Sequence, residues 1–397
     1  MSIGSPLRER THAINRKEQW REWSGYLAAS AYDYRHIHEY VGIRHAAVLI
    51  DVSPLYKYIV RGPDAVRLID RVITRDATRV GPGHVIYTPW CDEHGKVIDD
   101  GTIARLDDDS FRWTSAEPHL RWFMLNARGL DAEIEDVSEQ TAAIALQGPL
   151  SRSVVEAATK TDWSDLGFYR RRAAKVGRIP IDVSRTGYTG DLGYELWVDA
   201  SKAVALWDRL LDVGRPFSAR PAGMLALDMA RLEAGLILIE VDYTSSKHAL
   251  IPAQNYSPFE IGLGRLVNLD KAADFVGRRA LIAERDAGGP ARRLVGLAID
   301  YPAIEALYEA QDLPIFVEAT TWREQRPVYA GGRQIGRATS GSWSPTLKQH
   351  IALASVEPGF AAPGSRVALE WTVEGRRGRA TATVVALPFF DPPRKRA

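Results

Sequence analysis

Cysteine is nearly absent: Cys91 is the only one in 397 residues. One thiol per chain excludes an internal disulfide framework and a thiolate metal cluster, and it fits a reducing, cytoplasmic setting. Long apolar runs are missing too, since none approaches the ~18 residues that a membrane-crossing helix needs. The opening stretch, MSIGSPLRERTHAINRKEQW, lacks the apolar core of a signal peptide. No sign of charge dominates, because 51 Lys and Arg stand against 50 Asp and Glu. The basic residues are dispersed apart from Arg170, Arg171, Arg172 and the last few positions, which argues against nucleic acid as the main partner. His36 and His38 are two apart, a spacing that does not converge on a helix, and His45 is distant, so no metal site is expected. A GxSxG elbow, an HExxH helix and a Walker loop are all lacking.

What the chain does have is length and apolar content. With 45% hydrophobic residues it can build a sizeable core, and 397 residues allow two or three domains. Eleven Trp and fifteen Tyr suit a pocket for a flat ring, and they are also ordinary core material.

The most informative stretch is 184–198, SRTGYTGDLGYELWV. A β-leaning run at 179–183 precedes it and another at 196–198 follows, which predicts strand, tight glycine loop, strand. Gly187, Gly190 and Gly193 allow positive φ and close approach of the backbone to something flat. Glu195 lies between Tyr194 and Trp197 across Leu196, a half-buried carboxylate beside an aromatic wall. A carboxylate accepts two parallel hydrogen bonds, which suits a ligand edge with adjacent N–H groups. A glycine-rich hairpin with a solvated Glu satisfies the same spacing.

Elsewhere the pattern predicts a polar arm over 1–34 and a helix over 34–50. A strand follows at 56–60, then a helix after Pro63. Strands at 84–88 and 96–106 are joined through Asp92-Glu93-His94-Gly95, and a strand at 111–115 comes next. Helices are expected at 120–130, 151–160, 202–213 and 222–233, with a strand at 141–146. Several strands are hairpin neighbours, so the class is α+β with mainly antiparallel sheets. Beyond DAGGP at 286–290 helical spacing fades and six short strands predict a small all-β barrel or sandwich.

Two constellations could carry chemistry. Asp99 and Asp100 are adjacent on a strand, where neighbours point to opposite faces. A buried carboxylate near a reacting nitrogen can hold or move a proton. Counting in twos puts Gly101 on the face of Asp99, where its small size would leave room for a flat ring. An acidic pair beside a turn is the bland alternative. Arg231, near a helix end, can pair with a ligand carboxylate or with Asp228 or Glu233 of its own helix.

Taken in order, Ile50-Asp51-Val52-Ser53, the turn at 95–100, Ala145-Leu146-Gln147-Gly148-Pro149, the loop 186–195 and Arg231-Leu232-Glu233-Ala234-Gly235 form a series. Ser257-Pro258-Phe259-Glu260, 274–278 (DFVGR) and Thr339-Ser340-Gly341 with 344–347 (SPTL) continue it. The series resembles the T-protein (aminomethyltransferase) family of tetrahydrofolate-dependent one-carbon transferases, from about residue 34 to the C-terminus. The resemblance implies ferredoxin-like lobes (about 1–139 and 140–286) and a C-terminal β-barrel over 291–397. It implies tetrahydrofolate as cofactor, with Glu195 gripping the pterin and Asp99 as the catalytic acid beside the reacting folate nitrogens. Tyr188, Arg231 and Asp100 are the other expected cofactor-binding residues.

Two departures bear on the donor. In the glycine-cleavage members Asp-Val-Ser is usually followed by His-Met, whereas here it is followed by Pro54-Leu55. An Asn-Ser usual after the acidic strand is replaced by Thr114-Ser115-Ala116-Glu117. These favour a demethylase, acting on a small methylated donor, over the aminomethyltransferase of glycine cleavage. The chain holds no flavin domain or dinucleotide fingerprint, so any oxidation belongs to a separate oxidoreductase, and a carrier protein is the other partner implied. A non-catalytic folate-binding scaffold is the reading of another class. The scaffold branch carries a Lys-Gly-Cys-Tyr-type motif, and 271–278 (KAADFVGR) has no cysteine. Tyr32, Tyr34, Trp90 and Trp113 are candidates for a donor pocket or for core.

Overall fold

The structure is a computed structural model that describes residues 2–318 and 320–396. Two sheets and a barrel organise it. The first sheet has the order Val85–Cys91, Val97–Arg105, Ser110–Ser115, Tyr56–Arg61, Glu133–Asp136, with every neighbouring pair antiparallel. The helices Ala65–Val72 and Leu120–Asn126 cover one face. There Leu68, Ile69 and Phe123 pack on Tyr58, Trp90, Ile103 and Trp113. Alternation then decides the other face: with Ile103 and Trp113 turned to the helices, Thr102, Arg112 and Thr114 turn away.

The second sheet runs Arg171–Val176, Ile179–Ser184, Gly193–Asp199, Thr141–Gln147, Val48–Asp51, Arg220–Pro221, and only its last pairing is parallel. Tyr194, Leu196 and Val198 join Ile144 and Leu146 under the helices Ser151–Thr159 and Ala203–Gly214. Trp197, Ala143 and Ala145 point the other way, where the helices Ile37–His45 and Met224–Glu233 pack. Arg112 of the first sheet donates to Asp182 of the second at 2.7 Å, and its guanidinium lies 4.1 Å from the centre of the Trp197 ring. The face of the first sheet turned away from its helices therefore meets the Trp197 face of the second sheet beside the helices packed there.

Arg293–Ile299 opens a closed six-stranded barrel that ends at Arg376–Val385. The barrel is pinned to the rest by polar contacts: Thr339 and Ser340 donate to Asp242 at 2.6 and 2.7 Å, and Ser344 donates to Glu233 at 2.5 Å. Mixed helix and sheet with an all-β barrel is the α+β class that the sequence predicts. Among the described residues, no helix is long and apolar enough to cross a membrane.

Three local expectations need correction. The segment before residue 34 is not an arm: the strands Trp20–Trp23 and Tyr26–Ala29 pair, and the helix Arg8–Ile14 precedes them. The stretch 34–50 is a helix only to His45. Val48, Leu49 and Ile50 form a strand, whose unbroken apolar run is buried on both faces and so shows no period of two. After the linker one further helix, Tyr301–Glu309, seats Ile304 in the barrel core.

Candidate active site between the two sheets

The loop 185–192 turns tightly, but the close approach its glycines permit is to protein. A Cβ on Gly187 or Gly193 would stand 2.0 or 2.2 Å from Gln147 Oε1, and one on Gly190 would meet the Ala234 Cβ at 2.3 Å. The Gln147 amide donates to the Thr186 carbonyl at 3.1 Å and accepts from the Thr189 hydroxyl at 2.8 Å. Three of the separated sequence motifs thus meet at one point, and the loop that carries Tyr188 is rigidly placed.

On that frame Glu195 is half-buried on the face that looks toward the first sheet. Its Oε2 accepts the Thr186 hydroxyl at 2.5 Å, and among the described residues Oε1 has no hydrogen-bond partner. Burial raises its pKa, opposed by Thr186 and by the charge of Arg112. Tyr188 donates its hydroxyl to the Ile237 carbonyl, and burial holds its phenol neutral.

Asp99 and Asp100 take opposite faces, because the bulge of this hairpin falls at Trp90/Cys91, before the pair. Asp99 points to the helices and is fully buried. Its Oδ1 accepts the Asp100 amide at 2.7 Å, and its Oδ2 meets His119 Nε2 at 2.9 Å and the amides of Ala116 and Glu117, each at 3.2 Å. The room expected beside Gly101 is not there: a Cβ on it would lie 2.0 Å from the Thr114 carbonyl oxygen and 3.3 Å from the Trp90 ring. Lys247 Nζ sits 3.2 Å from His119 Nδ1, and burial with that neighbouring charge drives the imidazole down to about 3. His119 is therefore neutral. With Nδ1 facing the ammonium, Nε2 carries the hydrogen and donates to Asp99.

Asp100 faces the second sheet. The Tyr87 hydroxyl donates to its Oδ2 at 2.5 Å and the Tyr243 hydroxyl donates to its Oδ1. Burial first, and the charge of Asp99 second, push this carboxyl up to about 7. A group poised there can give or take a proton near neutral pH.

Arg231 is fully buried and lies in a structural pair. It donates to Asp228 at 2.8 Å and to Asp242 at 2.5 Å, so the pairing with Asp228 of its own helix, one of the readings open from the sequence, is present, and its Nη2 has no hydrogen-bond partner among the described residues. Of the four donor-pocket aromatics, Trp90 and Trp113 are core, edge-on at 5.4 Å, Tyr32 is buried, and Tyr34 is 62% exposed. Sequence reasoning passed over Tyr87, Tyr243, His119 and Lys247. Tyr87 was recoverable, since hairpin pairing sets it opposite Thr102 and on the face of Asp100.

The chain matches the GCVT N-terminal domain over residues 10–271 and the glycine cleavage T-protein C-terminal barrel domain over 292–391. It is 36% identical over 378 residues to an aminomethyltransferase of Moorella thermoacetica, covering 94% of each chain. A trimethylamine-oxide aldolase of Ruegeria pomeroyi is 34% identical over 96% of this chain, which spans 46% of that longer protein. The crystal structure of glycine cleavage system aminomethyltransferase T from Bartonella henselae superposes with a TM-score of 0.82 at 24% identity, covering 98% of this chain and 99% of that one, a likeness of fold.

Proposed function

The chain belongs to the glycine cleavage T-protein family of tetrahydrofolate-dependent transferases, and from that premise we propose that it moves a one-carbon unit from a small methylated donor to tetrahydrofolate between the two facing sheets. The observation that carries this reading is the direction of Asp100: its carboxyl, held by two tyrosine hydroxyls, lies on the face that looks toward Glu195 and Tyr188, whereas Asp99, which burial also pushes up to about 7, points to the helices.

The residues present fit the cofactor. Glu195 keeps Oε1 open, and a pterin offers adjacent N–H donors to such an edge. When bound, tetrahydrofolate supplies N5 as the acceptor of the one-carbon unit. Thr186 fixes the Glu195 carboxylate, and the Gln147 amide fixes the loop behind it. Asp100 is placed to hold or move the proton that accompanies transfer, the role that resemblance alone gave to Asp99. Tyr87 and Tyr243 fix its two oxygens and thereby its direction. Asp99 stands behind it, orients the strand and raises its pKa. Enclosure between the sheets aligns the reactants, the largest contribution the protein makes.

A methylated donor is supported by Pro54-Leu55 and by Thr114-Ser115-Ala116-Glu117, which replace the residues usual in glycine cleavage. The Ruegeria relative, named for a methylated amine oxide, supports it as well. The second reading, aminomethyl transfer from a carrier protein, is supported by the end-to-end match to the Moorella aminomethyltransferase. Single-turnover mass spectrometry of the folate product tests both. 5-Methyl-tetrahydrofolate from a methylated donor supports the first, and 5,10-methylene-tetrahydrofolate from an aminomethylated carrier supports the second. Tetrahydrofolate recovered unchanged with both classes of donor overturns the proposal.

A further inference from the structure

Three guanidinia converge on the Asp228 carboxylate, from the strand Trp20–Trp23, from the helix Met224–Glu233 and from the segment before the barrel strand Arg326–Ala330. Arg231 donates to its Oδ1 at 2.8 Å, and Arg323 brings Nε and Nη2 to its Oδ2 at 2.8 and 2.7 Å. Arg21 Nη1 stands 3.8 Å from the same Oδ2, beyond hydrogen-bond reach. The other acid of the cluster, Asp242, meets Arg231 and is otherwise taken up by Thr339 and Ser340. Glu324 is exposed and accepts the Arg323 backbone amide at 3.2 Å. Among the described residues no further carboxylate pairs with these arginines, so three positive charges stand against two negative ones. The deficit has a location. Arg21 Nη1 and Arg231 Nη2 are shut off from solvent and make no hydrogen bond among the described residues. Leaving buried donors unpaired is costly, and one carboxylate has the oxygens to satisfy both. The side chains of Arg21 and Arg323 are 27% and 30% exposed, which leaves a way in from solvent.

The cluster adjoins the reacting face. Trp23 is two residues from Arg21 on the same face of its strand, and it packs against the apolar cluster that Tyr188 also joins. Burial raises the Tyr188 phenol pKa, and the charges of Arg231, Asp100, Asp242 and Asp228 all act on that hydroxyl. One tyrosine is therefore within electrostatic reach of both Asp100 and the guanidinium cluster.

We infer that Arg21 and Arg231, with Arg323 beside them, form the subsite for a carboxylate on the one-carbon donor, and that this donor is a small N-methylated amino acid. The inference rests on the folate reading above, which makes the neighbouring face the place of transfer. One carboxylate brings the single negative charge that the cluster lacks and accepts from both open nitrogens. The planar forks of arginine suit such an anion better than a point charge would. The methylated nitrogen of the donor is then left to extend past Tyr188 toward Asp100. Tetrahydrofolate carries carboxylates of its own, so the test separates the two ligands.

The test is calorimetric titration of the full chain with N,N-dimethylglycine and with its neutral amide, N,N-dimethylglycinamide, and separately with tetrahydrofolate. The first two probes differ in the carboxylate alone. Wild type should bind the acid about tenfold more tightly than the amide, the effect of one charge-assisted contact. Arg21→Gln removes the arginine that makes no hydrogen bond to Asp228 and leaves that acid its bonds to Arg231 and Arg323, so the fold is spared, as circular dichroism checks. In this variant the preference for the acid should fall towards one while tetrahydrofolate binds as in wild type. Equal binding of acid and amide by wild type, no binding of the acid, or a preference that survives in the variant overturns the subsite and leaves the folate reading standing. A loss of tetrahydrofolate affinity in the variant gives the site to the carboxylates of the folate and overturns the donor assignment. Failure of wild type to bind tetrahydrofolate overturns both readings.

Discussion

Asp99 and Asp100 are joined by one peptide bond, and the amide of Asp100 donates to Asp99 Oδ1 at 2.7 Å, yet their carboxylates serve opposite faces of one strand. Asp99 ties the strand to His119 and the loop amides at 116 and 117 under the helices, while Asp100 meets Tyr87 and Tyr243 on the side of the second sheet. Asp99 is thus an internal anchor, and Asp100 is the member of the pair that faces the proposed folate site.

Asp99→Asn should therefore act mainly on stability. An amide cannot accept on both sides, so its NH2 must oppose either the Asp100 amide or the donors at Ala116, Glu117 and His119. Setting a donor against a buried donor costs about 1–3 kcal/mol. Urea denaturation of the purified variant measures it, and a midpoint equal to wild type would show that Asp99 does not anchor this strand.

The pH dependence has a definite sign. Asp100 is raised from an ordinary 3.8 to about 7 by burial and by Asp99. The native state keeps this proton where the unfolded chain loses it, so the stability it contributes is present below about 4 and is lost as pH rises through about 7. Asp100→Asn removes the titration. The stability of wild type minus that of the variant should fall between pH 4 and 7, as read from melting temperatures across the range. A difference that rises over that interval contradicts the raised pKa.

Glu195→Gln keeps the shape and the Thr186 contact but replaces an acceptor with a donor facing the pterin N–H edge. Tetrahydrofolate binding should weaken by about 2–4 kcal/mol by calorimetry. Unchanged affinity in a folded variant would remove Glu195 from the folate site.

The sequence carried the glycine loop, the hairpin at 92–95 and the barrel strands, because turn residues and β-rich runs are local signals. The face of Asp99 was not local. Alternation separates the two aspartates but does not say which side meets a second sheet, and Gly101 made room for the Thr114 carbonyl rather than for a ligand. Arg231 was legible in part: Asp228, on its own helix, was among the partners the sequence offered, whereas Asp242, eleven positions on and outside its helix, comes into reach only when the chain turns back. His119 and Lys247 carry no motif at all, and only folding brings them to Asp99.

The linker offers a test of how the barrel is attached. Gly288 and Gly289 take positive φ between the helix Arg278–Asp286 and the first barrel strand, with nothing near where a Cβ would stand. Limited proteolysis should nick at 286–291. The halves should still elute together, because Asp242, Glu233 and Asp228 hold Thr339, Ser344 and Arg323 across the junction. Separation of the nicked halves without denaturant would contradict those contacts.

The central claim is that Asp100 handles the proton in one-carbon transfer to tetrahydrofolate. The most direct measurement is single-turnover mass spectrometry of wild type and Asp100→Asn, each saturated with tetrahydrofolate and a methylated amine donor. Wild type should yield one-carbon-substituted tetrahydrofolate. The variant should be slower by about 10²–10⁴-fold while still binding the folate, as expected when a general acid or base is lost. An Asp100→Asn variant that turns over as fast as wild type would contradict the account.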